Sequence, residues 1–179
     1  MFKQLTFTGI IPHSQQEHEF NWNDNLALKH HLTHLNKQKD DQFIYVWGPK
    51  GCGKTHLLQT IAEQFSVNQP SIYIPLGMAD SIAPNCLENL ELQSVVSLDD
   101  IGHIKHQTDW EEAIFHLYNK IRQTQNTLLV ISGDLPPNQL GLGLPDLISR
   151  LQWGLCWQLK EPSDETKMEI LINIANKKG

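Results

Sequence analysis

The run Gly48-Pro49-Lys50-Gly51-Cys52-Gly53-Lys54-Thr55 fits the pattern G-x-x-x-x-G-K-[ST] at every fixed position, and residues of these types at this spacing handle phosphate. Its glycines let the backbone turn so that successive N–H groups point inward at a β-phosphate. Lys54 can reach the β and γ oxygens, and the Thr55 hydroxyl suits Mg²⁺. Helix-like His56 to Phe65 follows the loop, so the positive end of a helix dipole joins the amides. Gly48 through His56 are therefore the candidate contacts for ATP or ADP. Downstream, Ser94-Val95-Val96-Ser97-Leu98 is a β-rich apolar run ending in Asp99-Asp100, the pattern of a buried parallel strand that delivers carboxylates at its C-terminal edge. Asp99 would orient Mg²⁺ and its waters. Asp100 occupies the position where many P-loop ATPases place a Glu to position the attacking water; being one methylene shorter, it implies slow hydrolysis by the chain itself.

These groups need a scaffold, and the remaining pattern supplies one. Phe43 to Trp47 reads as the strand before the phosphate loop, and Ser71-Ile72-Tyr73-Ile74-Pro75 as a second strand ended by proline. Asp109 through Gln125 places Trp110, Ala113, Ile114, Leu117, Tyr118 and Ile121 at helical spacing. Thr127 to Ile131 is another buried strand that stops at Ser132-Gly133-Asp134, again polar groups at the edge where open α/β sheets hold ligands. After a Gly- and Pro-rich loop, Pro145 starts a short helix through Arg150, Trp153 to Leu159 reads as a last strand, and Pro162-Ser163-Asp164-Glu165 opens a final helix. Ahead of all this, Asn25 is the expected cap of a helix from Leu26 to Leu35, whose His30, His31 and His34 read as solvated surface residues. Strands alternating with helices predict a three-layer α/β/α P-loop sandwich on a five-stranded, mainly parallel sheet.

Composition narrows the function. A chain of 179 residues with 40% hydrophobic content buries one core, so residues 19–179 are expected to form a single nucleotide-binding domain behind a tail at 1–18. A formal charge of −6 argues against the electrostatic footprint of strong direct DNA binding and fits protein partners better. Cys52, Cys86 and Cys156 lie far apart without a C-x-x-C pair, which suggests neither a disulfide framework nor a zinc site and fits a reducing cytoplasm. Without a signal peptide or a membrane-length apolar run, the reading is a soluble protein.

Several stretches together resemble the AAA+ ATPase family of the bacterial replication initiator DnaA: the phosphate loop, Leu98-Asp99-Asp100-Ile101, Ser132-Gly133-Asp134 with Pro136-Pro137, and Leu144 to Leu151 followed by Trp153-Gly154. Within it, the chain looks most like the Hda family of initiator regulators, and the likeness runs from about Phe20 to the C-terminus. The resemblance implies that Asp134 is the sensor-1 residue that feels the γ-phosphate. It also implies that Arg150 is an arginine finger acting in trans, since a planar guanidinium can neutralise charge on transferring phosphoryl oxygens from outside the pocket. Stimulation of ATP hydrolysis by DnaA follows, as regulatory inactivation of initiation, with homo-oligomers an open possibility. In that family an N-terminal Gln-Leu peptide docks into the DNA polymerase sliding clamp, and Gln4-Leu5-Thr6-Phe7 resembles it, making Gln4, Leu5 and Phe7 the candidate clamp contacts; Phe7 stands where Leu is usual. The helical lid with its sensor-2 arginine would begin where this sequence stops, at Gly179. The short link from Pro75 to Ser94 favours the Hda family over the initiator itself. The rival expectation is a helicase-loader-type AAA+ ATPase, distinguished by turnover that nucleic acid stimulates. A small-molecule P-loop kinase ranks last, because Met78-Ala79-Asp80-Ser81 stands where a basic substrate lid would be needed.

Overall fold

Alternation decides the two faces of the sheet. A computed structural model describes residues 20–33, 42–64 and 70–178, and in it the strands are β1 (Phe43–Trp47), β2 (Ser71–Pro75), β3 (Val95–Asp99), β4 (Leu128–Gly133) and β5 (Leu155–Gln158). Successive side chains point to opposite sides. Phe43 and Tyr45 therefore join Leu98, Leu129 and Ile131 in one core, while Ile44 and Val46 join Val95, Leu128 and Val130 in another. Both faces are covered, which is why the strands read as unbroken apolar runs. On the second face lie α1 (Leu26–Thr33) and α2 (Lys54–Gln64), through Leu28, Leu32, Leu57, Leu58 and Ile61. The first face is covered by α3 (Thr108–Thr124) and α4 (Pro145–Trp153), through Ile114, Leu117, Ile121, Leu147 and Leu151. A fifth helix, α5 (Asp164–Lys178), closes the described chain.

The expected three-layer α/β/α sandwich is thus the observed one. Strand order is β2-β3-β4-β1-β5, and every described pairing is parallel. Boundaries moved at several places for local reasons. Asn25 does not cap α1: the helix grows out of a 3₁₀ turn at Asn23–Asn25 without a side-chain cap, and the Asn25 Oδ1 accepts a 3.1 Å bond from Trp157 Nε1 instead. His34 and Leu35 lie outside the described residues. β4 runs two residues past Ile131, because Val46↔Ser132 and Trp47↔Gly133 continue the ladder. Helix α4 reaches Trp153 and so takes the first residue of the predicted last strand. By contrast, Ser163 acts as anticipated, its Oγ accepting from the Thr166 N–H at 3.2 Å.

The α4-to-β5 corner depends on Gly154. A Cβ there would collide with the Phe43 carbonyl oxygen and lie 2.8 Å from the Phe43 Cβ, both fixed in a central strand. Gly154→Ala is therefore expected to destabilise the fold by about 3 kcal/mol, lowering the melting temperature by about 10 °C; a thermal melt of the variant checks this.

Candidate functional site

Register brings the chemistry to one edge. With Pro75 paired to Asp99, Leu98 to Ile131 and Trp47 to Gly133, the C-terminal ends of β1, β3 and β4 open side by side, where parallel sheets bind ligands. A cavity of about 1190 Å³ lies there. Its walls include Lys50, Gly51, Gly53, Lys54, Thr55 and His56 from the loop and α2, and Asp99, Asp100 and Asp134 from the strand ends. Gly51 and Gly53 take φ of +83° and +95°, a backbone that L side chains rarely adopt. Gly48, Pro49 and Cys52 do not line the cavity. No side chain fits at Gly48, where a Cβ would run into the Leu159 carbonyl. Burial raises the pKa of the Cys52 thiol, with the Lys54 charge pulling the other way, so Cys52 is a protonated, inert filler at neutral pH.

Lys54 is the best-satisfied cation here. Its Nζ donates to the Gly48 carbonyl at 2.8 Å and the Pro49 carbonyl at 3.1 Å, and pairs with Asp134 Oδ1 at 2.9 Å. Three donors meet three acceptors, so an incoming phosphate must compete with Asp134 for the ammonium. Asp99 gathers hydroxyls: Oδ2 accepts from Thr55 Oγ1 and from Tyr73 OH, each at 2.6 Å, and Oδ1 accepts from Ser132 Oγ at 2.5 Å. Burial first, and then the bond to Asp99, raises the Tyr73 phenol pKa well above its ordinary value, so it remains a donor. A carboxylate and a hydroxyl meeting at the mouth of a phosphate loop form an oxygen-donor set that suits a hard divalent cation, with Thr55 and Asp99 as the residues that would hold Mg²⁺. Among the described residues, no group of three His, Cys, Asp or Glu is arranged to hold a metal.

Tyr73 was not singled out from the sequence. The signal was there: a polar-tipped residue inside a strand, two positions before the residue that pairs with Asp99. The aromatic rim was also given no role. Phe20 packs edge-on against Trp22 at 4.9 Å and against His56 at 5.7 Å, and both aromatics line the cavity together with Lys29, Glu169 and Ile170. Asn21 and Asn23 reach Glu169 at 3.2 and 3.5 Å, and Thr166 reaches Asp24 at 3.3 Å, so α5 is tied to the segment that carries this rim.

Arg150 stands apart from the cavity. Its guanidinium stacks on the Trp153 ring at 4.1 Å and lies 5.9 Å from the rings of Phe115 and Tyr118, with Nη1 buried and lacking a hydrogen-bond partner. Trp153 is half exposed and also carries Arg122 at 5.1 Å. The arm that presents Arg150 is fixed from behind by Glu111. That carboxylate is 1% exposed and accepts from the Gly143 and Leu144 N–H groups at 3.0 and 2.7 Å, clasping the start of α4 onto α3. Gln4, Leu5 and Phe7 lie outside the described residues.

Comparison with known proteins agrees with this fold. Residues 23–158 match the family model described as the bacterial DnaA ATPase domain. A Haemophilus influenzae protein described only as uncharacterized is 41% identical over 161 residues, spanning 89% of this chain and 70% of that one. Domain III of the Thermotoga maritima replication initiation protein DnaA superposes with a TM-score of 0.68 at 23% identity, over 86% of this chain and 68% of that chain. The AMPPCP-bound DnaA of Aquifex aeolicus gives a TM-score of 0.68 at 19% identity, over 86% of this chain and 51% of that chain. The chain thus spans about half of that structure. Among the described residues, no helix is long and apolar enough to cross a membrane. Phosphate loop, acidic strand ends and five-stranded parallel sheet therefore sit within a match that covers most of the sequence, and the chain belongs to the family of bacterial DnaA ATPase domains.

Proposed function

We propose that this chain is an Hda-type regulator of replication initiation. It binds ADP or ATP with Mg²⁺ in the cavity above the phosphate loop, tethers itself to the sliding clamp through Gln4-Leu5-Thr6-Phe7, and offers Arg150 to the ATP held by DnaA. The placement of Arg150 carries this reading: the guanidinium lies away from the chain's own cavity, on a half-exposed aromatic platform, where it can serve phosphates held by another molecule. Within the chain, Lys54 would leave Asp134 for the phosphates and Asp134 would then face the γ-phosphate as sensor 1. Residues 1–18 act as the tether and 19–179 as the nucleotide-binding base domain, in the cytoplasm and on the nucleoid through the clamp.

The deciding experiment measures hydrolysis of DnaA-bound ATP with and without this chain, in the presence of DNA-loaded clamp. Acceleration that depends on the clamp supports the reading. Turnover by the chain alone at the rate of a motor ATPase, stimulated by nucleic acid, would instead place it with the helicase loaders. For the tether, Gln4→Ala with Leu5→Ala is expected to abolish micromolar clamp binding measured by calorimetry, because such a peptide gains its affinity from one amide and a few apolar anchors. Unchanged binding would remove these residues from the interface.

A further inference from the structure

Asp100 lies on the cavity wall, yet its carboxylate is engaged by its own turn. The residue adopts φ 61° and ψ 66°, left-handed values that cost a non-glycine residue energy. Its N–H is held by Ser132 Oγ at 2.8 Å. The chain then enters a 3₁₀ turn at Ile101–Ile104, and the side chain folds back over it. Oδ1 lies 3.4 Å from where a Gly102 Cβ would be, and Oδ2 lies 3.1 Å from His103 Nδ1. The same Nδ1 is 3.3 Å from the Asp100 carbonyl oxygen. Both neighbours of Nδ1 only accept, so Nδ1 bears the proton whether the ring is neutral or charged. The turn is braced from outside: His103 N donates to the Asp100 carbonyl at 3.1 Å, and Gln107 Nε2 spans the His103 carbonyl at 3.3 Å and Asp80 Oδ1 at 3.4 Å.

We propose that His103 is a positioning residue that holds the Asp100 carboxylate off the water beside the bound nucleotide, and so keeps the chain's own hydrolysis slow. The inference rests on the proposed nucleotide site and on Asp100 as its water-positioning group. In ATP hydrolysis the water oxygen bonds to the γ-phosphorus while the bond to the β,γ-bridging oxygen breaks, and the water's proton passes to the released phosphate. A carboxylate that accepts the water's hydrogen bond orients the attacking lone pair. The contact of Oδ2 with His103 fixes the carboxylate over its own turn, and turning it toward the nucleotide side breaks a charge-assisted bond. The short side chain alone would make hydrolysis slow; the imidazole makes the slowness removable.

The test uses the full chain and four variants: H103A, H103N, D100N and the double variant H103A/D100N. Single-turnover ATP hydrolysis and the affinity for fluorescently labelled ADP are measured for each. H103A is expected to raise the hydrolysis rate about tenfold at unchanged ADP affinity. H103N, whose amide can donate from near the Nδ1 position, keeps the wild-type rate, and D100N removes the gain from H103A. A rate that H103A lowers or leaves unchanged overturns the inference, as does a gain shared by H103N or surviving in the double variant. Failure of the wild-type chain to bind ADP would overturn the nucleotide-site reading itself, and this inference with it.

Discussion

Replacing Arg150 with alanine is expected to cut the stimulation of DnaA-bound ATP hydrolysis by about 1,000-fold, since an arginine finger supplied from outside contributes on that scale. This corresponds to about 4 kcal/mol of transition-state stabilisation. The fold should barely respond. Arg150 makes no ion pair among the described residues, and its stacking on Trp153 at 4.1 Å is worth about 1 kcal/mol, so the melting temperature should fall by only a few degrees. Arg150→Lys should not restore activity, because an ammonium lacks the planar fork and the stacking surface. Single-turnover hydrolysis with DNA-loaded clamp, beside a thermal melt, separates the outcomes. A variant that stimulates as well as the wild type removes Arg150 from the chemistry.

Loss of the Lys54 ammonium has the second largest expected effect. Lys54→Ala should weaken ADP binding by about 100-fold or more, or about 3 kcal/mol, since a charged donor to a phosphate is lost and none replaces it. Its partners supply a control of opposite sign. Asp134 Oδ1 lies 2.9 Å from Nζ and competes with the phosphate, so Asp134→Asn should bind ADP at least as tightly as the wild type. Calorimetric titration with ADP checks both. Equal weakening in the two variants would mean that the pair is structural and that phosphate does not compete for it.

Much of this site was legible because its signals are local. The spacing of glycines, lysine and threonine from Gly48 to Thr55 encodes a cradle by itself, and an apolar run ending in Asp99-Asp100 encodes a buried strand with acids at its end. What escaped depends on packing between distant segments. The Lys54–Asp134 pair exists only because β4 lies beside β1, an order that periodicity does not specify. Tyr73 gains its role from the neighbouring register of β2 and β3, and Glu111 from a loop that returns far along the chain to α3. Asn25 looked like a helix cap, but an indole from β5 claims its side chain. His103 carries no local signal in the sequence, and its 3.1 Å contact with the Asp100 carboxylate accompanies a left-handed backbone at Asp100 that no spacing pattern announces.

Strand order has a consequence for how this protein is made. β4 is central and pairs with β1 and β3 on its two sides, as in Phe43↔Leu129 and Val96↔Leu129. During synthesis the earlier strands leave the ribosome first, and β1 and β3 then face each other across a gap of one strand, each with an unpaired apolar edge. Such edges invite association with other chains until they are filled. Distant pairings of this kind also fold slowly, because the intervening chain must be ordered before any ladder forms. The nucleotide cavity is completed at the end of the same strand, where Ser132 holds Asp99 and the next turn adds Asp134 to the wall. A nascent chain released before β4 emerges would therefore leave β1 and β3 unjoined and Lys54 without its Asp134 partner.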